Sequence, residues 1–384
     1  MTIAIVCDVL GRANNGTTIA ALNLIRYLTE QGHTVRVVCP DEDKQNEPGY
    51  FVTPRLHLWP FDPYLAENGV ILARADVHVL ERALDGADAL HIMTPFTLSR
   101  KAIHMAMARN IPITAGFHCQ AENFTTHICL MNARLVNFLF YRTIWNNVYR
   151  YVDCIHYPTQ FICDTFEKAI AQPTNHYVIS NGVNHLFCKR DVPRPAEFAD
   201  RFVIHFTGRM SKEKSHRVLI RGAARSKYRD KIQLVFAGDG PQKKKLIRYA
   251  SKLPNPPIFR FFSREELVDE LNAADLYVHP AEIEIEAIAC LEAISCGLVP
   301  VISDSPRSAT RFFALDARNL FRCNDADDLA ARIDYWIEHP EERAACSKRY
   351  QGYAQQYDFD NCMAAMEDMI RTTAARRKGN SHGA

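Results

Sequence analysis

"HPAEIEIEAIACLEAISCGLVP", residues His279 to Pro300, holds the end of one strand, a helix of small apolar residues and the start of another strand. LYVHP leads into it and VPVIS leads out of it. A strand, a helix and a strand in that order build a parallel β-α-β unit. Yet the stretch carries Glu282, Glu284, Glu286 and Glu292. Alternating glutamates ahead of a helix ordinarily form a solvated edge, and a helical glutamate ordinarily points to water, because charged side chains are rarely buried unless paired. Glu292, however, is flanked by Leu291, Ala293 and Ile294.

The same rhythm runs through the chain. TIAIVCDV, a glycine-bearing loop, helix-like TTIAALNLIRYLTEQG and TVRVVCP form a first unit; ADALHIM, a helix over 98–109, IPITAGF and CIHYP extend it. After the proline-bearing DVPRPAEF, 191–198, it restarts with RFVIHFTG, IQLVFAG, PIFRFF, LYVHP and VPVIS, separated by helices. Such alternation predicts an α/β chain of two Rossmann-like lobes, their parallel sheets facing across a cleft. The expected division is 1–194 for the first lobe, 195–360 for the second, and 361–384 for a terminal segment. In that segment a helix over 361–375 would cross back to the first lobe, and AARRKGNSHGA would be a disordered tail. The 384 residues suit two or three domains.

Composition narrows the function. At 47% hydrophobic and 23% charged the chain is an ordinary well-cored protein, and a formal net charge of +2 gives no basis for a nucleic-acid partner. The 12 cysteines are scattered from Cys7 to Cys362 without a CxxC pair, so they read as small buried hydrophobes in a reducing compartment and not as a metal site. Asp8 interrupts the first apolar run, which therefore reads as a strand and not as a leader. No run of 18 uncharged apolar residues occurs, so the expected location is cytoplasmic, at most peripheral at the inner membrane face.

Ligands of open α/β sheets bind beyond the carboxyl ends of strands, which directs attention to four loops. GRANNGTT, residues 11–18, has the GxxxxG spacing of a phosphate loop but Thr17 where a lysine should stand. It reads either as a plain glycine turn or as a helix N-terminus, at Gly16, facing an anion. GRMSKEK, 208–214, is either a basic surface turn or a diphosphate grip through Arg209 and Lys214. GDGP, 238–241, is a tight turn whose small residues let a flat base approach the backbone. The fourth loop carries Glu284.

In order, strand-GR-x4-K, strand-AGxGP and E-x7-E ahead of CGLVPVI resemble the retaining glycosyltransferases of family 4, which have the GT-B fold. With HIMTPF, ITAGFH and ISNGV the resemblance spans nearly the whole chain. It implies that Glu284 binds hydroxyls of the donor sugar and Glu292 the ribose hydroxyls. It also implies that Arg209 and Lys214, with Gly16, meet the diphosphate. Gly238, Gly240, Pro241, Ser263 and Arg264 would lie by the base. His118, in ITAGFHCQAEN, corresponds to a histidine near the reacting sugar. Two departures are plain. The family's Gly-Phe-Gly after the first glutamate is Ile285-Glu286-Ala287 here, which puts the sugar's identity in doubt, and its His-Asp is His118-Cys119 followed by Gln120.

The activity so implied is hexose transfer from a nucleotide sugar, UDP-hexose favoured, with retained anomeric configuration. No cofactor and no metal are expected; Asp325-Ala326-Asp327 mimics a metal-binding DxD but reads as a helix N-cap and first turn. The expected acceptor is a lipid or saccharide hydroxyl. From Arg134 to Tyr151, arginines alternate with aromatics, the pattern either of a helix touching an anionic membrane surface or of a core helix with snorkelling arginines. A nucleotide-sugar epimerase of related fold and a catalytically silent partner subunit are the competing readings.

Overall fold

The computed structural model describes residues 1–10, 16–60, 62, 71–126 and 130–381. Of GRANNGTT, residues 11–15 lie outside the described residues. The chain divides into two compact units, Met1–Asn181 with Asp360–Ala384, and Gly182–Phe359.

The first unit is built on β1 (Thr2–Val6), β2 (Thr34–Cys39), β3 (Tyr50–Val52), β4 (Ala89–Ile92), β5 (Ile113–Gly116), β6 (Cys154–Tyr157) and β7 (His176–Val178). Their order is β3-β2-β1-β4-β5-β6-β7, all parallel. The second unit holds β8 (Phe202–Thr207), β9 (Ile232–Ala237), β10 (Ile258–Arg260), β11 (Leu276–His279), β12 (Pro300–Asp304) and β13 (Leu320–Arg322), in the parallel order β10-β9-β8-β11-β12-β13. Both are doubly wound sheets. In each, the order reverses beside the first strand, between β1 and β4 and between β8 and β11, and loops leaving such a reversal diverge to leave a binding crevice. The long strands coincide with the expected apolar runs. Of the four three-residue edge strands, β10 falls in the PIFRFF run, whereas β3, β7 and β13 carry too little periodicity to be seen in the sequence.

Two expectations about the ends of the units differ from the structure. The division falls after Asn181 and not after 194, because Val183 and Phe187 are buried in the second unit's core. Asn272 holds the same segment by donating to the Cys188 carbonyl (3.0 Å) and accepting from the Arg190 amide (2.7 Å). The terminal helix runs Phe359–Ser381, through most of the segment expected to be disordered. It is tied down by Glu367 on His33 (3.1 Å) and by Arg377, which forks onto both Asp153 oxygens (2.8 and 2.6 Å). Asp325 does cap the helix Ala326–Glu338, accepting from the amides of Asp327 and Asp328. Among the described residues no helix is long and apolar enough to cross a membrane.

Several imidazoles lie inside these cores. Burial depresses His91, His118, His205 and His216 to about 3 and His156 to about 4. The unfolded chain takes up their protons near pH 6.5 while the folded chain refuses them, so this stability is present above pH 6.5 and lost as pH falls. Asp8 and Glu292, raised by burial to about 6 and about 7, act in the opposite sense but are fewer. We predict that the urea-unfolding free energy falls by at least about 2 kcal/mol from pH 7 to pH 5. A stability that is flat or rising over that interval would show the imidazoles to be solvated.

Candidate active site

The loops after β8, β9 and β11 interlock in the second unit. Gly208 donates its amide to the Ala237 carbonyl (2.9 Å), Met210 to Asp239 (2.8 Å) and Gln242 to Met210 (2.9 Å). This contact has no room for side chains. Gly238 and Gly240 have φ of +143° and +152°, and a Cβ on them would stand 2.2 Å from the Gly208 oxygen and 2.7 Å from the Met210 oxygen. GDGP is therefore a spacing requirement that fixes the path of 208–214.

That path delivers the cations. Lys212–Lys214 forms one turn of 3-10 helix and Ser215 then takes a left-handed conformation. Because β8 and β11 are neighbours, Lys214 Nζ meets Glu284 Oε1. His279 Nε2, at the end of β11, lies 3.0 Å from the same oxygen. Glu284 is buried, which alone would raise its pKa, but Lys214 and His279 outweigh burial and hold it at about 2. It is an ionised carboxylate in a poorly solvated place. Arg209 Nη2 lies 3.2 Å from Glu213 Oε1, and Ser211 donates to that oxygen too. Burial pushes the Glu213 carboxyl up, yet Arg209, Ser211 and Lys214 carry it below its usual value. The Glu213 carbonyl accepts the amide of Glu282 (2.8 Å), joining the two loops.

Glu292 is the second acid of the pair. It sits in the helix Ile288–Ser295 between buried Leu291 and buried Ala293, with Arg264 Nη2 3.3 Å from its Oε1. Burial raises it to about 7 despite Arg264. Arg264 opens the helix Arg264–Ala273, whose N-cap is Ser263, in a capping box with Glu266. Its guanidinium also lies 5.2 Å over the Phe187 ring. Pro241 lies in the turn before the helix Lys243–Ala250.

The other two glutamates correct the sequence reading. Neither is a solvated edge residue: Glu286 is 4% exposed, and Glu282 is half-buried with Arg307 Nη2 2.5 Å from its Oε1. The turn 305–309 folds under this loop, Ser305 donating to the Glu282 carbonyl (2.6 Å) and Ala309 to the Glu284 carbonyl (2.9 Å). Ala287 has φ +65°, a left-handed conformation that favours glycine, at the place of the family's second glycine.

His118 and Gly16 belong to the first unit. Gly16 begins the helix Gly16–Glu30. His118 follows β5, and its ring folds over Gly116, where a Cβ would be 2.6 Å from His118 Nε2. Its ring centroid is 5.8 Å from that of His156 on β6. Burial first, then the neighbouring His156 and His91, keep it neutral. His279, Glu213, His91 and His156 escaped sequence reasoning. Only His279, five residues before Glu284 at a strand end, left a signal that could have been used.

The family model for glycosyl transferases group 1 matches residues 189–352, and that for glycosyltransferase family 4 matches 14–185. The chain belongs to glycosyltransferase family 4. It resembles a GDP-mannose-dependent alpha-mannosyltransferase of Corynebacterium glutamicum, 26% identical over 79% of this chain and 72% of the relative. It also resembles the alpha-monoglucosyldiacylglycerol synthase of Acholeplasma laidlawii, 23% identical over 93% of this chain and 94% of the relative. Anabaena HepE, solved in complex with UDP-glucose, superposes with a TM-score of 0.74 at 18% identity over 97% of this chain and all of that one, and shares the GT-B fold. As in this family generally, the chain is a glycosyltransferase.

The Lys214–Glu284 pair gives a direct prediction. Lys214→Met leaves a buried carboxylate with His279 alone and should lower the unfolding free energy by about 3 kcal/mol. Adding Glu284→Gln should restore most of it. A loss below about 0.5 kcal/mol in the single variant, measured by urea titration, would mean the pair is solvent-screened.

Proposed function

We propose that the chain transfers a hexose from a nucleotide sugar, UDP-hexose in the first place, to a lipid or saccharide hydroxyl with retained anomeric configuration and without a metal. The observation that carries this reading is the Lys214–Glu284–His279 network beside Arg209 and Glu213. It puts cations and an ionised carboxylate together at the strand reversal. The family membership supports transfer over epimerisation.

In this reading Arg209 and Lys214 hold the diphosphate; an ammonium has three donors, and Glu284 engages one of those on Lys214. Glu284 accepts donor-sugar hydroxyls. Glu292 accepts the two ribose hydroxyls, and the backbone from Gly238 to Pro241, with Ser263 and Arg264, lies by the base. As the bond from C1 to the diphosphate oxygen breaks, charge develops on that oxygen, where the two cations and the Gly16 helix N-terminus stabilise it. The acceptor oxygen bonds to C1 on the same face, and its proton passes to the departing phosphate. Neutral His118 accepts or donates a bond to a sugar hydroxyl and orients C1. The first unit then serves the acceptor and the second the donor.

A lipid acceptor is favoured by the helix Arg134–Asn147, which leaves Leu135 68%, Phe138 45% and Leu139 52% exposed beside Arg134. A relative named for monoglucosyldiacylglycerol synthesis points the same way. An exposed apolar strip next to cations suits the headgroup boundary of an anionic bilayer, and the enzyme would be peripheral at the cytoplasmic face.

Glu284→Gln should lower transfer at least about 100-fold while leaving the Kd for UDP within a factor of about three by calorimetry; full turnover would remove Glu284 from the site. Ribose binding should also take Glu292 from a half-protonated carboxyl to the carboxylate. Near pH 7 roughly half a proton is then released, and affinity weakens as pH falls below 7. Calorimetry in buffers of different ionisation enthalpy measures this, and proton uptake would contradict it. Vesicles containing phosphatidylglycerol should sediment the wild type at low salt but not Leu135→Asp/Leu139→Asp; a wild type left in the supernatant would remove the membrane contact.

A further inference from the structure

Away from these loops, the helix Gln160–Ile170 and the edge strand β7 bring Cys163, Glu167 and His176 together, with one candidate ligand atom of each within 4.8 Å of the others. Cys163 and Glu167 are one helical turn apart and share a face. His176 Nδ1 stands 3.0 Å from Glu167 Oε1 and 3.0 Å from the Thr174 carbonyl. Both partners are acceptors, so Nδ1 carries the ring proton and Nε2 of the neutral ring carries the lone pair. Cys163 Sγ lies 3.6 Å from that Nε2. Thr174 fixes the carboxylate, donating its amide (2.8 Å) and its hydroxyl (2.7 Å) to Glu167 Oε1.

This is the arrangement of a histidine prepared to bind a metal, its far N–H held by a carboxylate and a carbonyl that set tautomer and ring plane. The separation fits as well. A tetrahedral ion about 2.3 Å from a thiolate and about 2.05 Å from an imidazole nitrogen places those two atoms about 3.6 Å apart. Cys163 is buried, whereas the side chains of His176 and Glu167 remain 28% and 21% exposed, which provides a path of entry and a position for water.

We propose that Cys163, Glu167 and His176 form a binding site for a zinc-like divalent ion that joins the helix to the last strand of the first sheet. Cys163 Sγ and His176 Nε2 are the direct ligands, Glu167 holds the ring from its Nδ1 side, and water completes the shell. The Cys163 thiol proton leaves to solvent as the sulfur–metal bond forms, with no change of oxidation state. Thiolate and imidazole together select Zn²⁺ or Co²⁺ over Mg²⁺ and Ca²⁺. The site is structural and takes no part in sugar transfer. Sequence spacing conceals it, because Cys163 and His176 become neighbours only when β7 pairs with β6.

The test is titration of the metal-stripped full chain with Co²⁺. One equivalent should give near-ultraviolet thiolate-to-cobalt charge transfer and visible bands of tetrahedral intensity, and Zn²⁺ should displace the Co²⁺ and raise the thermal midpoint. The charge transfer should be lost in Cys163→Ser and persist in Cys188→Ser, which changes an exposed cysteine. Glu167→Gln should weaken binding 10- to 100-fold. Because Cys163 is buried and its replacement disturbs packing, His176→Gln at the sheet edge provides a second arm and should abolish the tetrahedral bands. Absence of charge transfer at millimolar Co²⁺, or bands that survive in His176→Gln, would leave the three residues as a hydrogen-bonded S–H···N pair with a carboxylate and overturn the proposal.

Discussion

Glu284 is a carboxylate buried at the end of β11 and kept ionised by Lys214 from the loop after β8. Much of the architecture of the loops in the second unit follows from that contact. It exists only because β8 and β11 are adjacent at the reversal of strand order, so topology and not sequence proximity brings together residues 70 positions apart. A buried ion pair is weak evidence of stability, since desolvation of both partners offsets their attraction. In the proposed donor site, its presence beside His279, Arg209 and Glu213 serves pre-organisation: the charges are oriented before a substrate arrives.

The two acids of the E-x7-E pattern are held in opposite states. Glu284 sits among cations and lies far below its ordinary range, whereas Glu292 has only the more distant Arg264 and is raised by burial to about 7. One is a fixed negative centre and the other stands near the midpoint of its ionisation at neutral pH. The glycines of GDGP complete the arrangement sterically. Without Cβ atoms at 238 and 240 the loops after β8 and β9 approach to hydrogen-bonding distance, and this sets where Arg209 and Lys214 emerge.

The alternation of strands and helices was legible because each central strand is a compact apolar run that β-branched residues favour. The glycine turn, the cations and the spaced glutamates drew attention as an ordered set that resembles a family's pattern, whereas each alone had a plain reading as a surface turn or a solvated edge. What depended on folding together distant segments was not. Arg307, 25 residues beyond Glu282, turns an apparent solvated edge into a paired one. Arg377 finds Asp153 across 224 residues, so a tail whose composition reads as disordered continues as helix. His279 and Glu213 support the site from strand-end and loop positions where an isolated histidine or glutamate carries no signal.

The most direct measurement of the central claim is calorimetric titration of the wild-type chain, in buffer containing a chelator, with UDP, GDP and their hexose conjugates. The account predicts one-to-one binding of a nucleoside diphosphate, UDP in the first place, that weakens at least about tenfold in Arg209→Ala. Failure of every nucleotide to bind, or affinity unchanged in Arg209→Ala, would contradict the assignment of the loops after β8, β9 and β11 as the donor site.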